Sequence, residues 1–567
     1  MSQHTTKRLA TLRRTFTSAL LLAGALPAAG ADWQFPATDP FYDLGANWST
    51  AAAPGVGDAA DFLGSNTGTV FWDDITGDTI SASILVDQAQ MTFANQAAST
   101  TAHLHTTEND TVVSNGGILD IGLNVTELMY LDVGGNLDLR DTGQFNAGFG
   151  SRVSIGGNLL VGDNSGQAAS ATIDGAGTML TVTGFTSLGF EGSTGTLSFT
   201  NGAVGDLMDK LTVSDGSVPN TAGVFNVTGG SVVTTGVISA GDVIGAGVSG
   251  TILVDGAGSR ITQTGIATFT LGASSLSTGT LTVSNNGVFE AGTGTAAIST
   301  TGVLNLETGG RFVGPTVHLA GTVNLNTGGT LVANTINHTN GGIFNFTGGT
   351  LSVETFNGNI VSTGGALRPG GTPGDADTIG TTTINGDYTQ NAAALLALGT
   401  KSDGSFDRLV VTGHLEIAGD LIFNDDEGFA FNLGGHLDLI DWGTLGGAFD
   451  TITLFDISAF NGLAWNTEDL YNTGEVSFEL EGDLNTDGFV GLDDLDILLA
   501  HWGETSYAYN FAGGDTSGDG LAGQDDLDLI IDNWGNGTAP GGNVPEPGSA
   551  ALLGLALLSF ARRRRRA

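Results

Sequence analysis

Three stretches decide the fold of this chain: GVLNLETGG at 302–310, GTVNLNTGG at 321–329 and GIFNFTGG at 342–349. In each, apolar and polar residues alternate, with an Asn between two apolar positions, as in Leu304-Asn305-Leu306. A period of two reads as a half-buried strand, apolar side inward and polar side outward. Each strand runs into a Gly pair, which turns the chain. The unit recurs about every 20 residues, a length suited to one turn of a β-solenoid. The Asn is then expected to stack turn upon turn in a ladder along one outer face, a structural role rather than a catalytic one.

The same short unit occurs upstream as GVFNVTGG at 223–230, and a longer one overlies it. TIDGAGTMLTVTG (172–184) and LVDGAGSRITQTG (253–265) lie about 81 residues apart, and lead into LGFEGSTGTLSF (188–199) and LGASSLSTGTLTV (271–283). This D-G-x-G-[ST] then G-T-L order resembles the repeat shared by autotransporter passengers and PEP-CTERM proteins. The resemblance implies a right-handed parallel β-helix, a pectin-lyase-like solenoid. Periodicity alone gives a mainly β solenoid without a hand.

Composition agrees with a repeat. The chain has 567 residues, too many for one hydrophobic core, with 91 Gly and only 13% charged residues. Its formal charge is -42, and only eight of the 17 basic residues lie between the two ends. Such a body repels nucleic acid and anionic membranes and attracts divalent cations, so nucleic-acid binding is excluded as a function class. There is no cysteine, hence no disulfide framework.

Both ends carry export signals. Residues 1–31 combine a basic start, the apolar run Ala19 to Leu26 and the small-x-small site Ala29-Gly30-Ala31, the pattern of a secretory signal peptide. Residues 544–567 read Val544-Pro545-Glu546-Pro547, then an apolar segment from Ala550 to Ala561, then Arg562 to Arg566. The apolar segment is shorter than the roughly 20 residues of a comfortable bilayer span. This three-part order resembles the PEP-CTERM sorting signal of Gram-negative bacteria. The resemblance implies recognition by an exosortase-type membrane transpeptidase, transient membrane contact through the tail, and a destination at the cell surface or in an exopolysaccharide matrix.

Between the ends, residues 32–74 form an aromatic-rich N-terminal β cap, and 75–365 hold the repeats. Trp33, Trp48 and Trp72 belong to the cap, with carbohydrate binding as the minor reading of their rings. Residues 366–481 read as a β-rich closing region, in which Leu-x-Pro-Gly, Gly-Asp-Tyr-x-Gln and Asp-x-Leu-x-Val-x-Gly resemble the segment that closes autotransporter-like passengers. Closure protects the last strand edge from pairing with another chain.

The segment 482–536 carries two acidic loops about 32 residues apart. The first places Asp483, Asn485 and Asp487 at positions 1, 3 and 5, Gly488 at the turn, the Phe489 carbonyl at 7 and Asp494 at 12. The second places Asp515, Ser517, Asp519, Gly520, the Leu521 carbonyl and Asp526 likewise. Hard oxygen donors at this alternation suit Ca²⁺. A short helix is expected after each loop, over 495–502 and 527–534, with Gly503 and Gly535 as C-terminal caps. The pair resembles a type I dockerin, an EF-hand-like α-helical module, which implies two Ca²⁺ ions and a cohesin-like protein partner. Asp496 and Asp528 occupy places where that family reads its partner, so partner choice is not legible. Ser517 and Ala522 depart from the pattern, which makes the second site the weaker in expectation. Residues 537–543 are a linker.

An enzyme must be weighed against a scaffold, because β-helices also host polysaccharide lyases and glycoside hydrolases. The body offers Arg140, Arg152, Lys210, Arg260, Arg311, Arg368, Lys401 and Arg408 as basic groups, none close to another in sequence. Any two carboxylates of so acidic a chain can be nominated as a glycosidase pair. His103 and His105 share a strand face without a third ligand. No nucleophile elbow, phosphate loop or zinc-helix motif is present. The sequence favours a non-enzymatic surface scaffold or adhesin, with a dockerin-bearing polysaccharide-degrading enzyme as the alternative, and no catalytic residue is assigned.

Overall fold

The computed structural model describes residues 31–539 except 35–46, 50, 52, 55–57, 66, 73–78, 82, 96–100, 107–108, 123–127, 164–165, 242–244, 273–275, 339–340, 371–378, 426–427 and 461. The expected signal peptide up to residue 30 and the sorting tail lie outside the described residues. The chain forms two compact units, 1–365 with 371–376, and 366–370 with 377–567.

In the first unit the chain visits three parallel ladders in rotation. Ala59–Leu63 pairs with Ser83–Asp87, which pairs with Thr111–Ser114 and onward. Thr67–Trp72 pairs with Gln90–Asn95, and that strand with Ile118–Ile121. Thr79–Ser81 pairs with Thr101–Thr106, and that strand with Leu128–Val133. Every turn returns the chain to the first ladder, which makes the unit a parallel β-solenoid. The strands Val204–Val213, Val232–Ala240, Arg311–Leu319 and Thr330–Asn337 each run through a corner unbroken and serve the third ladder and then the first.

Alternation fills the interior. In the second ladder Ile173 and Phe199 are in register, as are Leu306, Leu325 and Phe346, and all are essentially inaccessible. Each large apolar side chain so buried contributes about 1.5–3 kcal/mol. Phe289 stacks on Phe312 with centroids 5.6 Å apart, and Phe269 lies 4.7 Å from Phe289.

The outer face of the same ladder carries the expected Asn row. Asn324 donates to Asn305 Oδ1 at 2.7 Å across 19 residues, and Asn345 to Asn324 Oδ1 at 2.8 Å across 21 residues. The repeat length near 20 is therefore one turn. The row starts on Thr282, whose hydroxyl accepts from Asn305 at 3.3 Å. The Gly pair also turns the corner, each member for its own reason. Gly309 has φ +72°, a left-handed conformation that favours glycine, while a Cβ on Gly310 would strike the Val283 carbonyl of the preceding turn.

The D-G-x-G unit is a second kind of corner. Asp174 Oδ1 accepts from Thr200 Oγ1 at 2.5 Å and from Asn201 Nδ2 at 2.7 Å, one turn on. Asp255 repeats this with Ser284 and Asn285, both at 2.6 Å. The carboxylate thus pins the next turn, and three turns separate Asp174 from Asp255. A third device, absent from the sequence reading, is the GGN corner. There Asn136 Oδ1 accepts the backbone N–H of Asn158, and Asn158 Oδ1 that of Phe185.

At the start, Trp33 and Trp48 meet edge to face at 5.0 Å and both pack on Phe62. They are buried, which is the work of a cover and not of a sugar-binding platform. The segment is also more than a cap, because Ala59–Leu63 and Thr67–Trp72 already belong to the parallel ladders.

The second unit has its own parallel strands. Thr381–Asn385 pairs with the first half of Arg408–Ile417, and that half with Ile440–Gly447. Ala394–Thr400 pairs with Asp420–Asp425 and that strand with Thr451–Leu454. The polar residues of the closing motifs are internal brackets. Asp407 accepts from the N–H groups of Gly380 and Gly399, and the buried Gln390 donates to the carbonyls of Ala418 and Asp420 while accepting from the Tyr388 hydroxyl. An antiparallel sheet of His436–Asp438, Leu463–Asn466 and Glu475–Leu480 follows. Its Trp465 is 1% exposed, set among Phe423, Phe431, Phe455 and Phe478, and donates Nε1–H to the Phe455 carbonyl at 2.8 Å.

Candidate functional site

After Leu480 the backbone changes character. The described residues hold two α-helices, α1 (Leu492–His501) and α2 (Gln524–Asp532), each opened by one of the acidic loops. Both begin three residues earlier than the sequence suggested. The cause is the position-12 carboxylate, which sits inside the first turn and caps it. Asp494 Oδ2 accepts from Gly491 N–H at 2.7 Å, and Asp526 Oδ2 from Gly523 N–H at 2.8 Å. Gly503, φ +83°, directly follows the α1 cap Trp502 as expected, whereas α2 ends at Asp532 and is capped by Asn533, so Gly535, φ +84°, lies beyond the cap and not at it.

The two loops share a common set of hydrogen bonds. Asp483 Oδ2 accepts from Gly488 N–H at 2.8 Å and Asp515 Oδ2 from Gly520 N–H at 2.9 Å. Asp494 Oδ1 takes the N–H of Asn485, and Asp526 Oδ1 that of Ser517. Asp487 accepts from Phe489 N–H, and Asp519 from Leu521 N–H. The loops also clasp each other's helix ends reciprocally. Val490 exchanges backbone bonds with Gly535 and Asn536, and Ala522 with Gly503 and Glu504. Ala522 is completely buried, so the module closes around the smaller side chain.

Four carboxylates, Asp483, Asp494, Asp515 and Asp526, are at most 1% exposed, and among the described residues none has a Lys or Arg partner. Burial pushes Asp483 up to about 6, with the charges of Asp494 and Asp487 adding to it against two N–H bonds. Burial likewise pushes Asp515 up to about 6, with Asp526 adding, and it raises Asp494. Buried carboxylates without a counter-charge are costly, and a bound cation relieves that cost. Ligand atoms of Asp515, Asp519 and Asp526 all lie within 4.8 Å of one another, and among the described residues this is the one such acidic group. The second loop, ranked weaker from sequence, is therefore the better gathered. All donors are oxygens, so the residues fit a hard divalent cation such as Ca²⁺.

The module's outer surface is apolar at matched places. Leu499 and Trp502 near the end of α1, and Ile531 and Trp534 near the end of α2, are each about half exposed.

Elsewhere several basic residues are tied down, while Arg311 keeps two buried guanidinium nitrogens without a hydrogen-bond partner. Arg140 Nε donates to Asp138 Oδ2 at 2.6 Å, Arg260 pairs with Glu290, and Arg408 bridges Asp438 and Asp441. The Arg152 guanidinium lies 5.4 Å from the Tyr130 ring centre. Beside the Arg140 pair, burial and then the Asp138 charge push Asp163 up to about 6 against the pull of Arg140. His103 and His105 lie on the strand Thr101–Thr106, and their side chains are outside the described residues. No helix among the described residues is long and apolar enough to cross a membrane.

No curated protein matches the chain. Residues 543–566 match the PEP-CTERM protein-sorting motif. The chain thus carries, behind a β-solenoid, a bacterial signal for exosortase-dependent export and surface association.

Proposed function

We propose that the protein is a non-enzymatic surface or extracellular-matrix scaffold of a Gram-negative-type bacterium. Its body is a right-handed, pectin-lyase-like solenoid of the autotransporter-associated kind, and its dockerin-like module binds two Ca²⁺ ions and attaches a protein partner of cohesin type. The observation that supports a scaffold most is the Asn305–Asn324–Asn345 row: polar side chains of the outer face bond to one another, turn to turn, and do not converge on a cleft. Repetition of this kind builds length and stiffness. The exposed Leu499, Trp502, Ile531 and Trp534 suit a protein partner. Exopolysaccharide is the second partner class, consistent with a sorting signal of this type.

Calorimetric titration of the mature chain with Ca²⁺ tests the module: two bound ions are expected, and none would defeat the metal reading. For the scaffold, turnover of any acidic or neutral polysaccharide by the purified chain, lost on substituting one carboxylate or arginine, would overturn it.

One observation favours the alternative, a polysaccharide lyase or glycoside hydrolase. Asp138, Arg140 and Asp163 bring acidic and basic groups together on one side of the solenoid, with Asp163 protonated to a higher pH than usual. Against it, Asp138 is 1% exposed and its Oδ2 is held by Arg140. Loss of turnover in Asp163→Asn would establish this reading.

A further inference from the structure

The two acidic loops repeat each other, and the first meets the antiparallel sheet through the Asp483 N–H on the Leu480 carbonyl at 3.0 Å, but in the second the carboxylate itself takes part in the tie. Asp483 accepts backbone bonds solely from its own loop, at Asp487 and Gly488. Asp515 Oδ2 takes a further bond, from the N–H of Tyr509 at 3.0 Å. The Tyr509 carbonyl accepts the N–H of Thr467 at 3.0 Å, and the Thr467 hydroxyl donates to the Ala508 carbonyl at 2.7 Å. Thr467 is fully buried and directly follows the strand Leu463–Asn466. On the other side of Asp515, Thr516 Oγ1 accepts the N–H of Gly482 at 3.1 Å, two residues beyond the strand Glu475–Leu480. Two strands of the sheet are therefore tied to residues flanking one carboxylate.

These ties bridge a gap. A cavity of about 290 Å³ lies between sheet and loop, with Trp465, Asp456 and Glu481 on one side and Tyr509, Thr516 and Ser517 on the other. Its lining is polar enough to hold water, so apolar packing does not weld the loop to the sheet there. The Tyr509 and Thr516 bonds cross it, beside the Tyr507 hydroxyl bond to the Glu468 carbonyl at 3.3 Å and the Tyr471–Tyr507 ring contact at 5.0 Å, and Tyr509 holds its place in a left-handed conformation, φ +61°. A residue of this type leaves that conformation readily unless its neighbours hold it.

We propose that the second loop is a calcium-dependent latch on the antiparallel sheet. A cation at Asp515, Asp519 and Asp526 fixes the Tyr509 peptide, which fixes Thr467 and the strand before it. Thr467 is a positioning residue that acts through Tyr509 and touches no metal. The latch rests on the calcium reading above, and it gives the module a duty within its own chain besides attachment. The first loop meets the sheet through the Asp483 N–H rather than through a carboxylate, and has no such effect.

Hydrogen exchange of the full mature chain, with Ca²⁺ or with chelator, tests the latch alongside calorimetric ion counts. Ca²⁺ is expected to slow exchange in 463–466 and 475–480 by about tenfold or more in the natural chain and in Asp483→Asn, and to leave it unchanged in Asp515→Asn. Thr467→Val keeps both ions and the N–H bond to Tyr509 but loses the hydroxyl bond to Ala508, and is expected to reduce the Ca²⁺-dependent protection of 463–466 severalfold, which keeps the test intact should Asp515→Asn fail to fold. Two bound ions with exchange in both strands indifferent to Ca²⁺ would overturn the latch and leave the calcium reading standing. Zero bound ions would overturn both.

Discussion

Asn324 donates one side-chain N–H to Asn305 and accepts one from Asn345, so a single amide joins three successive turns of the solenoid. Asn324→Ala removes both bonds on a face open to water, where the freed groups find new partners. The expected loss is about 1–2 kcal/mol, read from the urea midpoint of unfolding. Asn324→Asp costs more, because it sets a carboxylate oxygen against Asn305 Oδ1. Wild-type midpoints for both variants would show that the row holds nothing.

The stacked rings make a larger demand. Phe289 is fully buried between Phe269 and Phe312, and close packing prevents the turns from collapsing onto a void. Phe289→Ala is expected to cost about 3–5 kcal/mol in chemical denaturation. A loss below about 1 kcal/mol would mean that the neighbouring rings close the gap.

Asp163 gives a pH dependence with a defined sign. Its folded value, about 6, lies above the ordinary 3.8, so the folded state holds its proton more tightly than the unfolded chain does. The stabilisation is present in full below about pH 3.8 and is lost as pH rises through 6. After solvent screening the effect is on the order of 1 kcal/mol. Asp163→Asn should therefore gain stability relative to the natural chain at pH 7.5 but not at pH 4, in paired urea titrations. An equal offset at both values would rule this out.

The carboxylates Asp494 and Asp526 cap helices whether or not a cation is bound. Asp494→Ala and Asp526→Ala should each weaken their helix by about 1–2 kcal/mol even in chelator, seen in the thermal loss of helical circular dichroism. If the variants matched the natural chain in chelator, the caps would be idle.

Glu546 belongs to the matched sorting motif. Glu546→Ala should leave the folded body unchanged and shift the protein from the surface fraction to the membrane fraction of cells that possess an exosortase. Unaltered surface display of that variant would show that the tail is not used.

The repeat was legible because Leu304, Asn305 and Leu306 and the Gly pair state strand, ladder and corner within one short phrase. The turns before about residue 170 were not, for a physical reason. Leu119 and Phe145 occupy one inner row, so burial asks only for an apolar residue and leaves no repeated word to read. The GGN corners at 134–136 and 156–158 were plain in the letters, yet their meaning, an Asn carbonyl serving the next turn's backbone, needs the third dimension. No turn residue announces that Val204–Val213 spans two ladders. In the acidic module the ligand spacing gave the loops, but the helix starts were missed because Asp494 and Asp526 serve as caps as well as candidate ligands. The tie from Asp515 to Thr467 crosses 48 residues of sequence without any pattern, and was invisible.

A turn of this solenoid closes with 19 residues between Asn305 and Asn324 and with 28 between Ser198 and Asn226, yet both turns feed the same ladders. Extra length is spent at corners and leaves the strands in register. A gene encoding such a chain can therefore lose or duplicate one whole turn by recombination between like segments and still yield a closed body. Selection is thereby free to adjust the reach of the solenoid in single-turn steps, without inventing a new fold or disturbing the sorting motif at 543–566.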